Sequence, residues 1–146
     1  MANTAQKYDD LRLVFSPQCI MQSMPLSSLV SIIIVTWNSK LYLPRCLKAL
    51  SNQTNKDFEI LIMDNGSIDQ EYLGLEGQYP GLKLTIKKLN ENLGFAIANN
   101  LGVRLVSGKY LALLNADAFP EPDWLEGLLK AADQNPQFTF FASRQI

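Results

Sequence analysis

The sequence predicts an α/β domain: a mostly parallel sheet with helices on both faces. Three observations carry this. Short β-branched or apolar runs recur along the chain, as in strands buried on both faces. Between them lie segments whose apolar residues repeat at helical spacing. The two kinds alternate as β-α-β-α-β-α-β-α-β, the order of a parallel sheet wrapped by its crossover helices.

Each element has its own reason. Residues 1–28 are polar, lack a clear period and carry Pro17 and Pro25. They read as a leader, either mobile or docked as an arm, with Leu11, Leu13 and Phe15 alternating as in a short strand. Residues 29–146 then form the domain. Its first strand is Val-Ser-Ile-Ile-Ile-Val-Thr at 30–36. Asn38 and Ser39 are candidate caps for a helix carrying Leu43, Cys46, Leu47 and Leu50, with Pro44 tolerated in its first turn. The run 58–63 is a second strand, closed by the turn signal Asp64-Asn65-Gly66-Ser67.

Residues 68–78 are weakly helical, interrupted by Gly74 and Gly77. Leu82, Leu84 and Ile86 alternate with Lys83, Thr85 and Lys87, which predicts a half-exposed strand near an edge. A helix is expected over 95–106 with Ala98, Leu101 and Leu105 on one face. The run 110–114 reads as a buried strand, followed by Asn115-Ala116-Asp117. Pro122 opens a helix with Trp124, Leu125, Leu128, Leu129 and Ala132, and 138–142 starts a last strand.

Composition narrows the chemistry. With 146 residues there is room for one ordinary domain, and 47% hydrophobic residues suffice for a core. A formal charge of −1 argues against a nucleic-acid partner. The apolar run from Ile32 to Val35 is far short of a transmembrane segment, and no secretory signal precedes it. Cys19 and Cys46 have no metal-site spacing. The absence of histidine removes Ser-His-Asp and Cys-His catalysis and His-based metal sites. Carboxylates, amides, hydroxyls or an oxygen-bound metal ion remain.

In parallel sheets ligands lie beyond the carboxyl ends of the strands. Three polar clusters fall there: Thr36-Trp37-Asn38, Asp64-Asn65-Gly66-Ser67 and Asn115-Ala116-Asp117. Each alone could be ordinary loop chemistry. Together, with two aspartates directly after apolar strands, they predict one cleft. Neither a G-x-x-x-x-G-K-[ST] loop nor a G-x-G-x-x-G turn after the first strand is present. A diphosphate there would need another counter-charge, and an oxygen-ligated Mg²⁺ or Mn²⁺ on Asp117 would supply it.

These clusters, in this order with Asn90-Glu91-Asn92-Leu93-Gly94-Phe95, Ala98-Asn99-Asn100 and Pro122-Asp123-Trp124-Leu125, resemble the N-terminal half of a family 2 glycosyltransferase. The Asn-Ala-Asp turn resembles the rhamnosyltransferase-like branch. The resemblance covers about Val30 to Ile146. It implies a GT-A-like, Rossmann-like fold, truncated at its C-terminus, and a nucleotide-sugar-binding role for residues 29–146.

The resemblance also implies roles for single residues. Asp64 matches the aspartate that binds a pyrimidine ring, where a carboxylate suits the N3–H of uracil or thymine; a turn or helix cap is the alternative. Thr36, Trp37 and Asn38 match the base-pocket lining, with core packing as the rival for Trp37. Asn65, Asn92, Gly94, Asn99 and Asn115 match positions beside the donor, and Asn99 could instead brace its neighbours. Asp117 matches the last acid of the family's metal motif, with Asn115 replacing the first. The implied reaction is inverting transfer of a sugar from a UDP- or dTDP-sugar, with a divalent metal (Mg or Mn), to a saccharide or lipid-linked saccharide acceptor. The general base is expected beyond Ile146. A cytoplasmic setting, or the inner face of the membrane, and polysaccharide biosynthesis go with it.

Two other classes stay in view. One is a non-catalytic nucleotide-binding or interaction module derived from the same fold. The other is a different doubly wound enzyme such as a phosphotransferase, which the lack of an acid pair at Asn115-Ala116-Asp117 disfavours. Trp124, Phe138, Phe140 and Phe141 are candidates for exposed apolar surface, so self-association or limited solubility is expected, a homodimer through that edge being one form.

Overall fold

The computed structural model describes residues 28–68 and 74–143. The expected leader, including the alternation at Leu11, Leu13 and Phe15, lies outside the described residues apart from Ser28. Four strands form one sheet: β1 (Val30–Thr36), β2 (Phe58–Asp64), β3 (Lys83–Lys88) and β4 (Tyr110–Asn115). Four helices intervene or follow: α1 (Leu43–Ser51), α2 (Leu75–Gln78), α3 (Phe95–Val103) and α4 (Trp124–Gln134).

The strands are all parallel in the order β3-β2-β1-β4. The chain builds outward from β1 to β3, then crosses back to place β4 on the other side of β1. That reversal puts the helices on opposite faces and opens a crevice at the carboxyl ends of β1 and β4. The register aligns those ends: Thr36 faces Asp64, Asp64 faces Lys88, and Val35 faces Asn115.

The larger core lies under α1 and α4. Ile32, Ile34, Ile60 and Ile62 from the sheet meet Leu43, Cys46, Leu47 and Leu50 of α1 and Leu125 of α4. The helical spacing of the four α1 residues thus places one complete apolar stripe on the sheet. The opposite face is smaller: Ile33, Leu61 and Met63 pack with Leu101 of α3.

Several expectations are corrected. Asn38 and Ser39 do not cap α1 with their side chains. The helix starts from Tyr42 with no side-chain cap, because the Asn38 side chain is drawn to Ile68 instead. The helix expected over 95–106 ends at Val103, and its buried residues are Ala98, Asn99 and Gly102; Leu105 is exposed. Among the described residues the run 110–114 is covered on one face only. Leu111 and Leu113 are 48% and 54% exposed, since α3 packs over β1 and β2 rather than β4. Residues 138–142 form no strand among the described residues: the Phe138 N–H turns back to the Asn135 carbonyl at 3.0 Å rather than to a neighbouring strand, and Phe138 and Phe140 stand exposed. The weak helix at 68–78 is reduced, among the described residues, to the single turn of α2.

Candidate functional site

Beyond the last ladder pairs, three loops continue to zip together. The Asn65 N–H donates to the Thr36 carbonyl at 2.8 Å, and the Leu89 N–H donates to the Asp64 carbonyl at 2.8 Å. The Asn38 N–H donates to Ser67 Oγ at 2.9 Å, and Ile68 N–H returns a bond to Asn38 Oδ1 at 3.0 Å. Asn38 takes a left-handed φ of 52° to make this exchange, a conformation asparagine tolerates better than most residues. Loops 36–39, 64–68 and 89–94 thereby form one continuous wall at the carboxyl edge of β1, β2 and β3.

Asp64 sits in the middle of that wall and is fully buried. Its Oδ1 accepts the Ser67 N–H at 2.9 Å, a local turn closed by an aspartate side chain. Its Oδ2 is buried with no hydrogen-bond partner among the described residues. A carboxylate oxygen removed from water without a donor is costly, on the order of 1–3 kcal/mol or more. Such an atom marks a place where a donor from outside the chain is stabilising.

The loop 89–94 is held by side-chain amides. Asn65 Nδ2 donates to Asn92 Oδ1 at 2.8 Å, and Asn65 Oδ1 accepts the Leu93 N–H at 2.9 Å. Asn92 Oδ1 also accepts the Gly94 N–H at 2.9 Å. Gly66, at φ +79°, lets the two loops touch: a Cβ there would lie 2.7 Å from the Glu91 carbonyl carbon. Gly94, at φ +85°, opens α3 and has nothing within 4 Å of a Cβ position, so the space above it is free.

Across β1, the second part of the site follows β4. Asn115, the last residue of β4, and Asp117, in the turn that follows, are both exposed, with Ala116 buried between them. Cys46 of α1 lies beneath, its thiol directed at the Asn115 carbonyl at 3.8 Å. Burial, and then the nearby Asp117 charge, push the Cys46 thiol up to about 12, so it stays protonated. The Arg45 guanidinium stacks at 4.2 Å on the ring of Phe119, two residues after Asp117. Gln53, two residues past the end of α1, locks the segment that leads into α4: its amide donates to the Glu121 carbonyl at 2.7 Å and accepts the Leu125 N–H at 3.0 Å.

The expected site residues therefore divide. Thr36, Asn38, Asp64, Asn65, Asn92 and Gly94 are brought into one wall. Trp37 stands 54% exposed at its rim, so core packing does not account for it. Asn115 and Asp117 lie across β1 at the same sheet edge. Asn99 is set apart: it is buried on the face of α3 that meets the sheet, its amide donates to the Phe95 carbonyl at 3.0 Å, and its Oδ1 has no hydrogen-bond partner among the described residues. The structure adds Gly66 and Ser67, named in the sequence only as part of the turn cluster, and Gln53 to the site. The Asn-Gly-Ser turn signalled the first two; nothing in the sequence signalled Gln53.

No cluster of three or more His, Cys, Asp or Glu side chains suited to a metal occurs among the described residues. One exposed carboxylate with a neighbouring amide does not make a closed cage. It does fit Mg²⁺ or Mn²⁺, which keep waters and take most remaining ligands from substrate phosphates. Among the described residues no helix is long and apolar enough to cross a membrane.

Comparison with known proteins gives the class. The sequence profile of glycosyl transferase family 2 matches residues 31–145, and the chain belongs to that family. A glycosyltransferase of Haemophilus influenzae, itself uncharacterized, is 32% identical over 117 residues, covering 79% of this chain and 36% of that protein. The chondroitin synthase of Escherichia coli is 39% identical over 101 residues, 67% of this chain and 14% of that one. The structure of Staphylococcus aureus TarS 1–349 in complex with UDP-GlcNAc superposes with a TM-score of 0.67 at 25% identity, over 73% of this chain and 32% of that one. A mannosyltransferase from Pyrobaculum calidifontis, in complex with GDP-Man and Mn²⁺, gives a TM-score of 0.67 at 22% identity, over 80% of this chain and 37% of that one. The fold is thus that of the GT-A glycosyltransferases, and the chain spans about a third of the length of these enzymes or less.

Proposed function

We propose that residues 29–146 are the donor-binding part of an inverting glycosyltransferase that uses a UDP- or dTDP-sugar, with residues 1–28 as a leader. The observation that carries the donor choice is Asp64 Oδ2, a buried acceptor without a partner at the end of β2. Uracil and thymine present an N3–H that satisfies it; cytosine presents an acceptor there and repels it. UDP-GlcNAc and UDP in complexes with TarS support this reading.

Thr36, Trp37 and Asn38 line the base side, with the exposed Trp37 ring free to stack on the pyrimidine. Asn115 and Asp117 take the diphosphate side. Gly94 leaves room for the donor above the start of α3, and Asn99 braces that helix from within. Asn65 and Asn92 hold the wall together. A divalent ion held by Asp117 would add positive charge where the departing diphosphate gathers negative charge. The reaction is attack of an acceptor hydroxyl oxygen on the anomeric carbon, with cleavage of its bond to the diphosphate and inversion at that carbon. The acceptor is a saccharide or lipid-linked saccharide, and the general base is assigned to no residue of this chain. The Asn-Ala-Asp turn favours the rhamnosyltransferase-like branch, and a cytoplasmic setting at the inner membrane face goes with a lipid-linked acceptor.

Calorimetric titration tests the reading. UDP and dTDP should bind with a heat that depends on Mn²⁺, and CDP should bind at least tenfold more weakly. Asp64→Asn keeps the Ser67 bond but turns a donor toward N3–H, so it should lose tenfold or more, about 1.4 kcal/mol. No metal-dependent binding of UDP or dTDP would sink the proposal. A second reading, a nucleotide-binding module without catalysis, is favoured by Asp117 being the lone carboxylate in the turn after β4. Donor hydrolysis or transfer would separate the two. The open Leu111 and Leu113 face also supports a homodimer, which sizing at high concentration checks.

A further inference from the structure

The bond pattern around Asn65 and Asn92 fixes how both amides are oriented. The Leu93 N–H needs an oxygen, so Asn65 turns Oδ1 to it and Nδ2 to Asn92. The Gly94 N–H needs an oxygen as well, so Asn92 presents Oδ1, which then accepts from both Gly94 and Asn65. Backbone donors thus decide the orientation of both side chains. Asn65 is 97% removed from solvent by its 3% exposure, and both its oxygen and an N–H are engaged by the loop.

We propose that Asn65 and Asn92 are positioning residues: an amide clamp that holds loop 89–94 on the turn after β2, and so sets Asp64 and Gly94 relative to the donor, without either amide binding it. This rests on the nucleotide-sugar reading above. The backbone of Asp64 is tied on both sides of the clamp, by Leu89 N–H on its own carbonyl and by the next residue's N–H on Thr36. Gly66 brings the two backbones close enough for the short amides to reach. Leu93 and Gly94 lead directly into α3, so the clamp also fixes where that helix begins.

The two isosteric acid substitutions should act in opposite senses. Asn92→Asp keeps an oxygen for both of its donors. Asn65→Asp leaves an acceptor for the Leu93 N–H but sets its second carboxylate oxygen against Asn92 Oδ1, where a donor stood at 2.8 Å, and that repulsion pushes loop 89–94 off the turn and opens the Leu93 bond. A ligand role for Asn92 predicts the reverse, because a new negative charge beside an anionic donor weakens its binding.

The test measures two quantities on the full chain: the Kd for UDP and dTDP with Mn²⁺, and hydrogen exchange of the Leu93 and Gly94 amides. Asn92→Asp should stay within threefold of the parent Kd and keep both amides protected. Asn65→Asp should bind at least tenfold more weakly and lose protection at Leu93 and Gly94. Asn92→Ala, at an exposed position, should show the same loss, restored by Asn92→Asp; this pair decides the matter if Asn65→Asp does not fold. Tenfold weaker binding by Asn92→Asp with both amides still protected would make Asn92 a ligand and overturn the clamp. So would loss of protection in Asn92→Ala with unchanged Kd. If the parent binds neither nucleotide, the donor reading fails by itself. The clamp then stands on exchange alone: protection lost in Asn92→Ala and kept in Asn92→Asp supports it, and equal behaviour of the two overturns it.

Discussion

The thiol of Cys46 and the backbone carbonyl of Asn115 meet at 3.8 Å, joining α1 to the turn that carries Asp117. Burial first, and the Asp117 charge second, raise the thiol from 9.0 to about 12. The folded chain therefore binds this proton more tightly than the unfolded chain. Stability from this group is complete below about pH 9 and declines as pH rises toward 12. In a Cys19→Ser background at pH 8, a thiol reagent should label Cys46 only after denaturant is added. Rapid labelling of the folded protein would contradict the packing described.

Gly66 should be the least replaceable glycine of the site. Gly66→Ala combines a φ of +79° with a Cβ 2.7 Å from backbone, so we expect a loss of at least about 2 kcal/mol in urea unfolding. Gly127, inside α4 with nothing within 4 Å of a Cβ, gives the opposite sign. Gly127→Ala should stabilise by about 0.5–1 kcal/mol. Equal effects at the two positions would refute the close approach of the two loops.

Gln53→Ala leaves the buried Leu125 N–H without its acceptor and takes one of two donors from the Glu121 carbonyl, which keeps the Trp124 N–H. The expected cost is roughly 2 kcal/mol. Gln53→Glu should not restore it, since a carboxylate accepts from Leu125 but cannot donate to Glu121 when ionised. Denaturant midpoints of the three proteins give the comparison.

Asp117→Asn tests the metal side without disturbing the core, because Asp117 is exposed. The melting temperature should stay within about 1 °C, the change expected of a surface substitution. The gain in UDP affinity on adding Mn²⁺ should disappear. A variant that keeps the full Mn²⁺ effect would take Asp117 out of the metal site.

Local physics made much of the fold legible. The run 30–36 reads as a buried strand from its β-branched content, and Leu43, Cys46, Leu47 and Leu50 read as one helix face from spacing alone. Polar clusters after β1, β2 and β4 could be placed at one sheet edge because parallel order puts all carboxyl ends together. The run 110–114 could not be read correctly: its composition matches a strand covered on both faces, while the seat of α3 over β1 and β2 leaves Leu111 and Leu113 open. Residues 138–142 have strand composition, but a strand exists only where another backbone takes up its hydrogen bonds.

The amino-acid sequence by itself determined the alternation of elements, the family, and the presence of Asp64 and Asp117 at strand ends. Only the tertiary structure decided how the polar residues pair. Asn65 finds Asn92 at a separation of 27 residues, and Gln53 finds Leu125 at 72. Such pairs leave no periodic trace, because a side-chain amide serves equally well exposed, capping a helix or bridging two loops. Which it does depends on the backbone donors that folding brings within about 3 Å of it.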